Sequence, residues 1–201
     1  MKVAGIDTSL TSTGIAVIED RPLTMGGLDP LMVTTLCVES SSPKRARGDK
    51  TPVTIRQRRE RIAGIVDDIA DAVFPLLDLA VVEAPSYGSQ GASTWDRAWL
   101  WGAVIERLMR NGVPVAIVAP RCRALWASGS GSASKSPVAV HLSRLWPAID
   151  PGISDDEWDA LALATMGAQQ LGLFPCELAR HREQLAKVAW PDFPGGIELA
   201  S

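Results

Sequence analysis

Apolar and polar positions alternate between two rhythms along the 201 residues. Residues 3–7 and 14–18 are short apolar runs joined by Thr8-Ser9-Leu10-Thr11-Ser12-Thr13, a turn-forming link that predicts a β-hairpin. Residues 31–38 predict a third strand, after the turn signals Gly26-Gly27 and Asp29-Pro30. Residues 39–51 are polar, basic and marked by Pro and Gly, and predict a loop. A helix is expected from near Pro52 to Phe74, with Ile55, Ile62, Ile65, Val66, Ile69 and Val73 on its apolar stripe and Pro75 ending it. The run at 79–82, Leu-Ala-Val-Val, reads as a strand buried on both faces, and residues 113–118 as another. Between them residues 94–111 predict a helix that stops at Gly112. After the small-residue stretch 128–134, Ser136 is the expected N-cap and Pro137 the first residue of a helix to about Trp146. A helix over 155–171 follows, capped by Ser154, and then an appendage from Pro175 with a helix over 177–188 and a Pro/Gly-rich tail.

The order β-β-β-α-β-α-β-α-α predicts an α/β fold: a mixed five-stranded sheet, three antiparallel strands then parallel ones, with helices on both faces. The expected division is a domain over residues 1–172 and a C-terminal helix and tail over 173–201. No apolar run approaches the ~20 residues that span a bilayer. Asp7 interrupts the first apolar run too early for a signal peptide, so a cytoplasmic protein is expected. Three cysteines at long spacings, Cys37, Cys122 and Cys176, predict free, half-buried thiols rather than disulfides or a zinc site.

The net charge of −3 argues mildly against a nucleic-acid partner, but it hides a skew. Lys44, Arg45, Arg47, Lys50, Arg56, Arg58, Arg59 and Arg61 are opposed only by Asp49 and Glu60, so that window carries +6 and the remainder −9. A basic stripe on an acidic body is either a footprint for a polyanion or a solvated surface.

The candidate chemistry is carboxylate chemistry. Asp7 and Glu83 each close an apolar strand, where a carboxylate is costly to desolvate without a compensating cation. Asp155, Asp156 and Glu157 fit the first turn of a helix, where they complement its dipole. Asp159 lies one turn further in, on the face of Asp156, and leads into the small-residue run Ala-Leu-Ala-Leu-Ala. Oxygen-only ligands favour Mg²⁺, with Mn²⁺ as the alternative, over zinc. Trp95 and Trp99, one helical turn apart, are expected in a core or a dimer face, and the two together with Leu108 are expected at or near the interface of a homodimer because the thin core of a monomer this size would not hide all three. His141 and His181 read as isolated surface or helix-packing residues.

Four segments in order resemble the RuvC-type Holliday-junction resolvases of the RNase H-like (retroviral integrase) superfamily: Gly5-Ile6-Asp7 with Thr13-Gly14, Val81-Val82-Glu83, Gly131-Ser132-Ala133-Ser134-Lys135 with Val138, and Asp156-Glu157-Trp158-Asp159-Ala160-Leu161-Ala162. The resemblance spans residues 3 to about 170. It implies a Mg²⁺-dependent endodeoxyribonuclease that resolves Holliday junctions or other branched DNA by two-metal-ion phosphodiester hydrolysis. Asp7, Glu83, Asp156 and Asp159 would be its metal-binding, catalytic carboxylates. Lys135 would neutralise charge on the phosphate. Lys44, Arg45, Arg47, Lys50 and Lys135 would contact DNA, as would Tyr87, which stands one position beyond the family's aromatic. A homodimer is implied as well. The chain departs from the family in having Thr8-Ser9 where Pro-Gly is usual, and in Pro85. The alternatives are an RNase H-like nuclease for flaps or RNA–DNA hybrids, and a catalytically weak nucleic-acid-binding module.

Overall fold

The computed structural model describes residues 1–20, 31–41, 51–85, 93–131 and 135–192, the side chains of 135 and 136 excepted. The apolar runs form strands β1 (Lys2–Asp7), β2 (Ser12–Asp20), β3 (Leu31–Glu39), β4 (Leu79–Glu83) and β5 (Val115–Val118). They pair in the order β3-β2-β1-β4-β5, with β1–β2 and β2–β3 antiparallel and β1–β4 and β4–β5 parallel. The mixed five-stranded sheet is thus as expected. Turns at 26–30, Tyr87 and the tail beyond residue 192 lie outside the described residues, as does most of the 39–51 loop.

The helices are α1 (Ile55–Val73), α2 (Thr94–Arg110), α3 (Pro120–Ser128), α4 (Lys135–Leu145), α5 (Asp155–Gln170) and α6 (Ala179–Leu185). The period-2 alternation of the central strands divides them between two faces. Ala4, Ile6, Ile15, Val17, Ala80 and Val82 pack against α1 and α2. Val3, Ala16, Ile18, Leu79 and Val81 pack against α5 and, around it, α3, α4 and α6. Two helix starts follow from the same local chemistry. Thr54 and Ser154 each close a capping box, with Gln57 and Glu157 respectively, satisfying backbone N–H groups that have no partner within the helix.

Several expectations are corrected. Helix α1 begins at Ile55, which is 70 % exposed rather than on the buried stripe, because the cap at Thr54 fixes the start and the stripe begins at Ile62. Helix α4 begins at Lys135, so Pro137 is its third residue. Helix α3 was not foreseen, and α6 is shorter than 177–188. Leu108 is fully covered by the α1–α2 face, whereas Trp95 and Trp99 are 80 % and 37 % exposed and enter no core of this chain. The three cysteines are free and half-buried, as expected. Among the described residues no helix is long and apolar enough to cross a membrane.

His141 and His181 are not isolated. Their Nε2 atoms stand 3.1 Å apart at the meeting of α3, α4 and α6, where Trp126 stacks on the His181 ring at 4.4 Å. Arg180 lies 3.2 Å from His141 Nδ1 and donates to the carbonyls of Trp126 and Ala127, tying α6 to α3. Burial, with the charge of Arg180 and that of Arg144 near His141, pushes both imidazoles down to about 4. A depressed histidine pKa gives stability that is present above the ordinary value of 6.5 and is lost as pH falls towards 4. Denaturant midpoints measured from pH 7 to 4 contain this loss together with the opposite contribution of any carboxyl with a raised pKa, so the midpoint of His141→Gln should rise relative to that of wild type as the pH is lowered. Parallel curves for the two proteins would show that the pair does not titrate in this way.

Candidate active site

The same alternation that builds the core aims the acidic residues. Residues 3, 5 and 7 of β1 and 79, 81 and 83 of β4 share one face, so Asp7 and Glu83 close neighbouring parallel strands on the side covered by α5. Helix α5 approaches the sheet unusually closely because glycines face it. A Cβ on Gly5 would lie 2.0 Å from the Ala160 carbonyl oxygen, and one on Gly14 would lie 2.0 Å from that of Asp156. This seats the first two turns of α5 over the ends of β1 and β2, beside Asp7.

Asp159 is 5 % exposed and Asp156 is half-buried, its Oδ2 accepting a 2.6 Å hydrogen bond from Ser12. Asp155 is exposed and Glu157 is occupied by the capping box, so the structure separates these two neighbours from the site pair. The loop after Asp7 is braced by Thr13, which accepts from Ser9 N–H and donates to Ser9 O, and by Arg61 of α1, which donates to Leu10 O and to Ser40. Trp101 of α2 donates 2.9 Å to the Glu83 carbonyl.

The residue that sequence reasoning missed is Arg123. From α3 its Nε donates 2.5 Å to Glu83 Oε1 and its Nη1 to Asp159 Oδ1, and it is 9 % exposed. Burial works against its charge, but Glu83, Asp159 and Asp7 outweigh that and hold its pKa above the ordinary value. One guanidinium does not balance the carboxylates. Burial, and then repulsion from Glu83, Asp159 and Asp156, pushes the Asp7 carboxyl from the usual 3.8 up to about 8 despite Arg123. A buried, oxygen-only donor set with surplus negative charge fits a hard divalent cation such as Mg²⁺ or Mn²⁺. In the arrangement seen, the guanidinium lies between two of these carboxylates. Among the described residues no three or more His, Cys, Asp or Glu side chains close on a common metal position.

A cleft of about 300 Å³ opens beside Asp7 and Glu83, lined also by Thr8, Ser9, Thr94, Arg97 and Trp101. Lys135 is the first residue of α4, though its side chain is not described. Lys44, Arg45, Arg47, Lys50 and Tyr87 lie outside the described residues. Of the rest of the basic window, Arg58 pairs with Asp96 at 3.2 Å and Arg61 braces the loop, so part of that charge serves the fold. Arg56 and Arg59 are exposed.

No protein-family profile matches the chain. It is 27% identical over 175 residues to a crossover junction endodeoxyribonuclease RuvC of Paenarthrobacter aurescens, covering 86% of this chain and 83% of that protein. It is 29% identical over 163 residues to the enzyme of that name from Neorickettsia sennetsu, covering 80% and 88%. The structure superposes on Thermus thermophilus RuvC with a TM-score of 0.61 at 23% identity, covering 87% of this chain and 98% of that one. The chain has the RuvC-type, RNase H-like fold. A second T. thermophilus RuvC structure, in complex with a Holliday junction substrate, matches equally well, with a TM-score of 0.61 at 22% identity. The expected RuvC-type resemblance is thus met by sequence similarity over 80–86% of the chain and by fold.

Proposed function

We propose that this chain is a RuvC-type, divalent-metal-dependent endonuclease that resolves Holliday junctions or related branched DNA. The observation that supports the reading is that Asp7, at the end of β1, feels the charges of Glu83, at the end of β4, and of Asp159 and Asp156 in the first turns of α5, with the Arg123 guanidinium between Glu83 and Asp159. Asp7, Glu83, Asp156 and Asp159 would hold the metal, Mg²⁺ or Mn²⁺. Two bound ions would supply Lewis acidity, lowering the pKa of an attacking water and stabilising the leaving oxygen. The chain's own residues do the rest. Ser12 orients Asp156, the Thr13 and Arg61 contacts hold the loop beside Asp7, and the Asp7 carboxyl, its pKa raised by burial, would be a metal ligand in its deprotonated form. Arg97, on the wall of the cleft, and Lys135, at the start of α4, offer positive charge to the phosphodiester backbone.

The nuclease function belongs to residues 1–172, and Tyr87 is the aromatic that meets the junction. The protein acts in the cytoplasm as a homodimer. A four-way junction is nearly two-fold symmetric and resolving it takes paired cuts, which a C₂ dimer supplies. The exposed Trp95 and Trp99 of α2 are the apolar surface offered for that dimer. Lys44, Arg45, Arg47 and Lys50 track the phosphate backbone. Replacing Arg45, Arg47 and Lys50 together by Ala should weaken all DNA substrates alike and make the salt dependence shallower, by up to about 0.9 in log–log slope for each phosphate no longer neutralised. An unchanged slope would return the segment to a solvated surface.

The reading is tested by comparing matched four-way, flap, duplex and RNA–DNA hybrid substrates, with the mass of the protein–DNA complex measured by light scattering. Preference for the four-way substrate by a two-chain complex is expected. A monomer that cuts a flap or hybrid once would instead identify a different nuclease of this fold.

A further inference from the structure

We propose that Arg123 is a resident counter-ion that occupies the carboxylate site in the metal-free protein and must leave it for a divalent cation to enter. The proposal rests on the metal-dependent reading above and adds a residue that none of the four motifs contains. The guanidinium is not beside the site but within it: its Nε and Nη1 engage Glu83 and Asp159, two of the four carboxylates assigned to the metal. A divalent ion bound to those same oxygens would lie against a fixed positive charge. Arginine cannot relieve that repulsion by losing a proton, so it has to move.

The surroundings allow the side chain to move without the helix. Helix α3 is anchored through neighbouring residues, where Trp126 donates 2.9 Å to Gln169 and Arg180 donates to the Trp126 and Ala127 carbonyls, and none of these bonds uses the Arg123 side chain. Glu83, one of the two carboxylates that Arg123 engages, borders the cleft of about 300 Å³. The benefit of the guanidinium in the metal-free state is equally direct. Glu83 and Asp159 are nearly enclosed, and without a cation between them they would repel each other and Asp7. The protein therefore exists as two populations, one with the guanidinium in place and one with it withdrawn, and only the second binds metal. The apparent metal affinity is reduced by the fraction withdrawn.

The test is Mn²⁺ binding to the full chain without DNA, after removal of metal with EDTA, followed by electron paramagnetic resonance of the free ion. Arg123→Gln removes the competitor and should tighten Mn²⁺ by about ten- to a hundredfold, the factor for a competent state populated at roughly 1–10%. Arg123→Lys keeps the charge but can engage only one carboxylate well, so it should fall between. The metal-free Arg123→Gln protein should melt lower than wild type, and Mn²⁺ should raise its melting temperature by more. Wild-type protein gives a check that needs no variant: in ¹⁵N-arginine spectra the Arg123 Nε–H should shift and lose its protection from exchange when Mg²⁺ is added. Equal or weaker Mn²⁺ binding by Arg123→Gln, or an Nε–H undisturbed by Mg²⁺ in a protein that binds it, would overturn this proposal and leave the nuclease reading standing. Failure of wild type and both variants to bind Mn²⁺ at millimolar concentration would overturn both.

Discussion

Asp7→Asn should cut the rate of DNA cleavage by at least about a thousandfold, the upper order lost when one preorganised charge-stabilising group is removed from an active site, and should leave the protein folded. The second half of that expectation follows from the unusual state of this carboxyl. Its pKa in the folded protein is raised from 3.8 to about 8, first by burial and then by Glu83 and Asp159. The folded state therefore holds this proton more tightly than the unfolded one. The stability it contributes is fully present below pH 3.8 and is lost as pH rises towards 8. Asn cannot ionise, so metal-free Asp7→Asn should lose less stability between about pH 4 and 8 than wild type, and should equal or exceed it at the upper end. Melting curves across this range, with and without Mg²⁺, check both points.

Glu83→Gln and Asp159→Asn should be as inactive but should behave differently in the absence of metal. Each weakens a charge-assisted hydrogen bond to the buried Arg123, which costs about 1–3 kcal/mol. Asp156→Asn should also lower activity, since its carboxylate is the one held by Ser12, and the exposed Asp155 is not placed to replace it. Near-normal turnover by Asp7→Asn at ordinary Mg²⁺ concentration would remove the basis of the mechanism.

The second large effect belongs to glycines rather than to acids. Gly5→Ala and Gly14→Ala should each destabilise the protein by about 3 kcal/mol or more, lowering the melting temperature by roughly 6–12 °C for a chain of this size. In both cases the added methyl would meet backbone: the Ala160 oxygen at 2.0 Å and Ala164 nitrogen at 2.4 Å for Gly5, and the Asp156 oxygen at 2.0 Å for Gly14. Backbone inside a helix cannot step aside as a flexible side chain can, so α5 would have to lift. The same movement would carry Asp156 and Asp159 away from Asp7, so any folded fraction should also cleave poorly. Gly64→Ala is the control. It sits on the exposed side of α1 with nothing within 4 Å of its new methyl, and should be neutral or gain up to about 1 kcal/mol from helix propensity. Equal melting temperatures for Gly5→Ala and Gly64→Ala would contradict the close docking of α5.

The sheet and the acidic residues were legible in the sequence because both rest on local pattern. Buried strands read as apolar runs, Asp7 and Glu83 ended them, and Ser154 announced the start of α5. Helix α3 escaped because Pro-Arg-Cys-Arg-Ala-Leu-Trp-Ala-Ser carries little amphipathic signal. Its punctuation was nevertheless there, with Pro120 at the first helical position and Gly129, at φ 77°, just past the end. Missing α3 meant missing Arg123, since an arginine in an unassigned stretch reads as surface. The His141–His181 pair joins residues 40 apart, and no spacing rule brings them together. Leu108 was expected at or near a dimer interface and lies instead in the chain's own core, because the extent of the α1–α2 layer depends on tertiary packing, which local pattern does not carry. For Trp95 and Trp99 the pattern left core and dimer face open, and the exposure of both removes the core.

Whether these carboxylates cut branched DNA with the help of bound metal is decided by incubating metal-free protein with a four-way junction labelled on each strand in turn, with and without Mg²⁺, beside Asp7→Asn from the same preparation. Mg²⁺-dependent nicks in two opposed strands are expected, with 5′-phosphate and 3′-hydroxyl ends that ligase can reseal, and none from the variant, which still binds the junction. A junction bound by wild type yet left intact at every Mg²⁺ and Mn²⁺ concentration, or cut equally by Asp7→Asn, would contradict metal-dependent cleavage at this site.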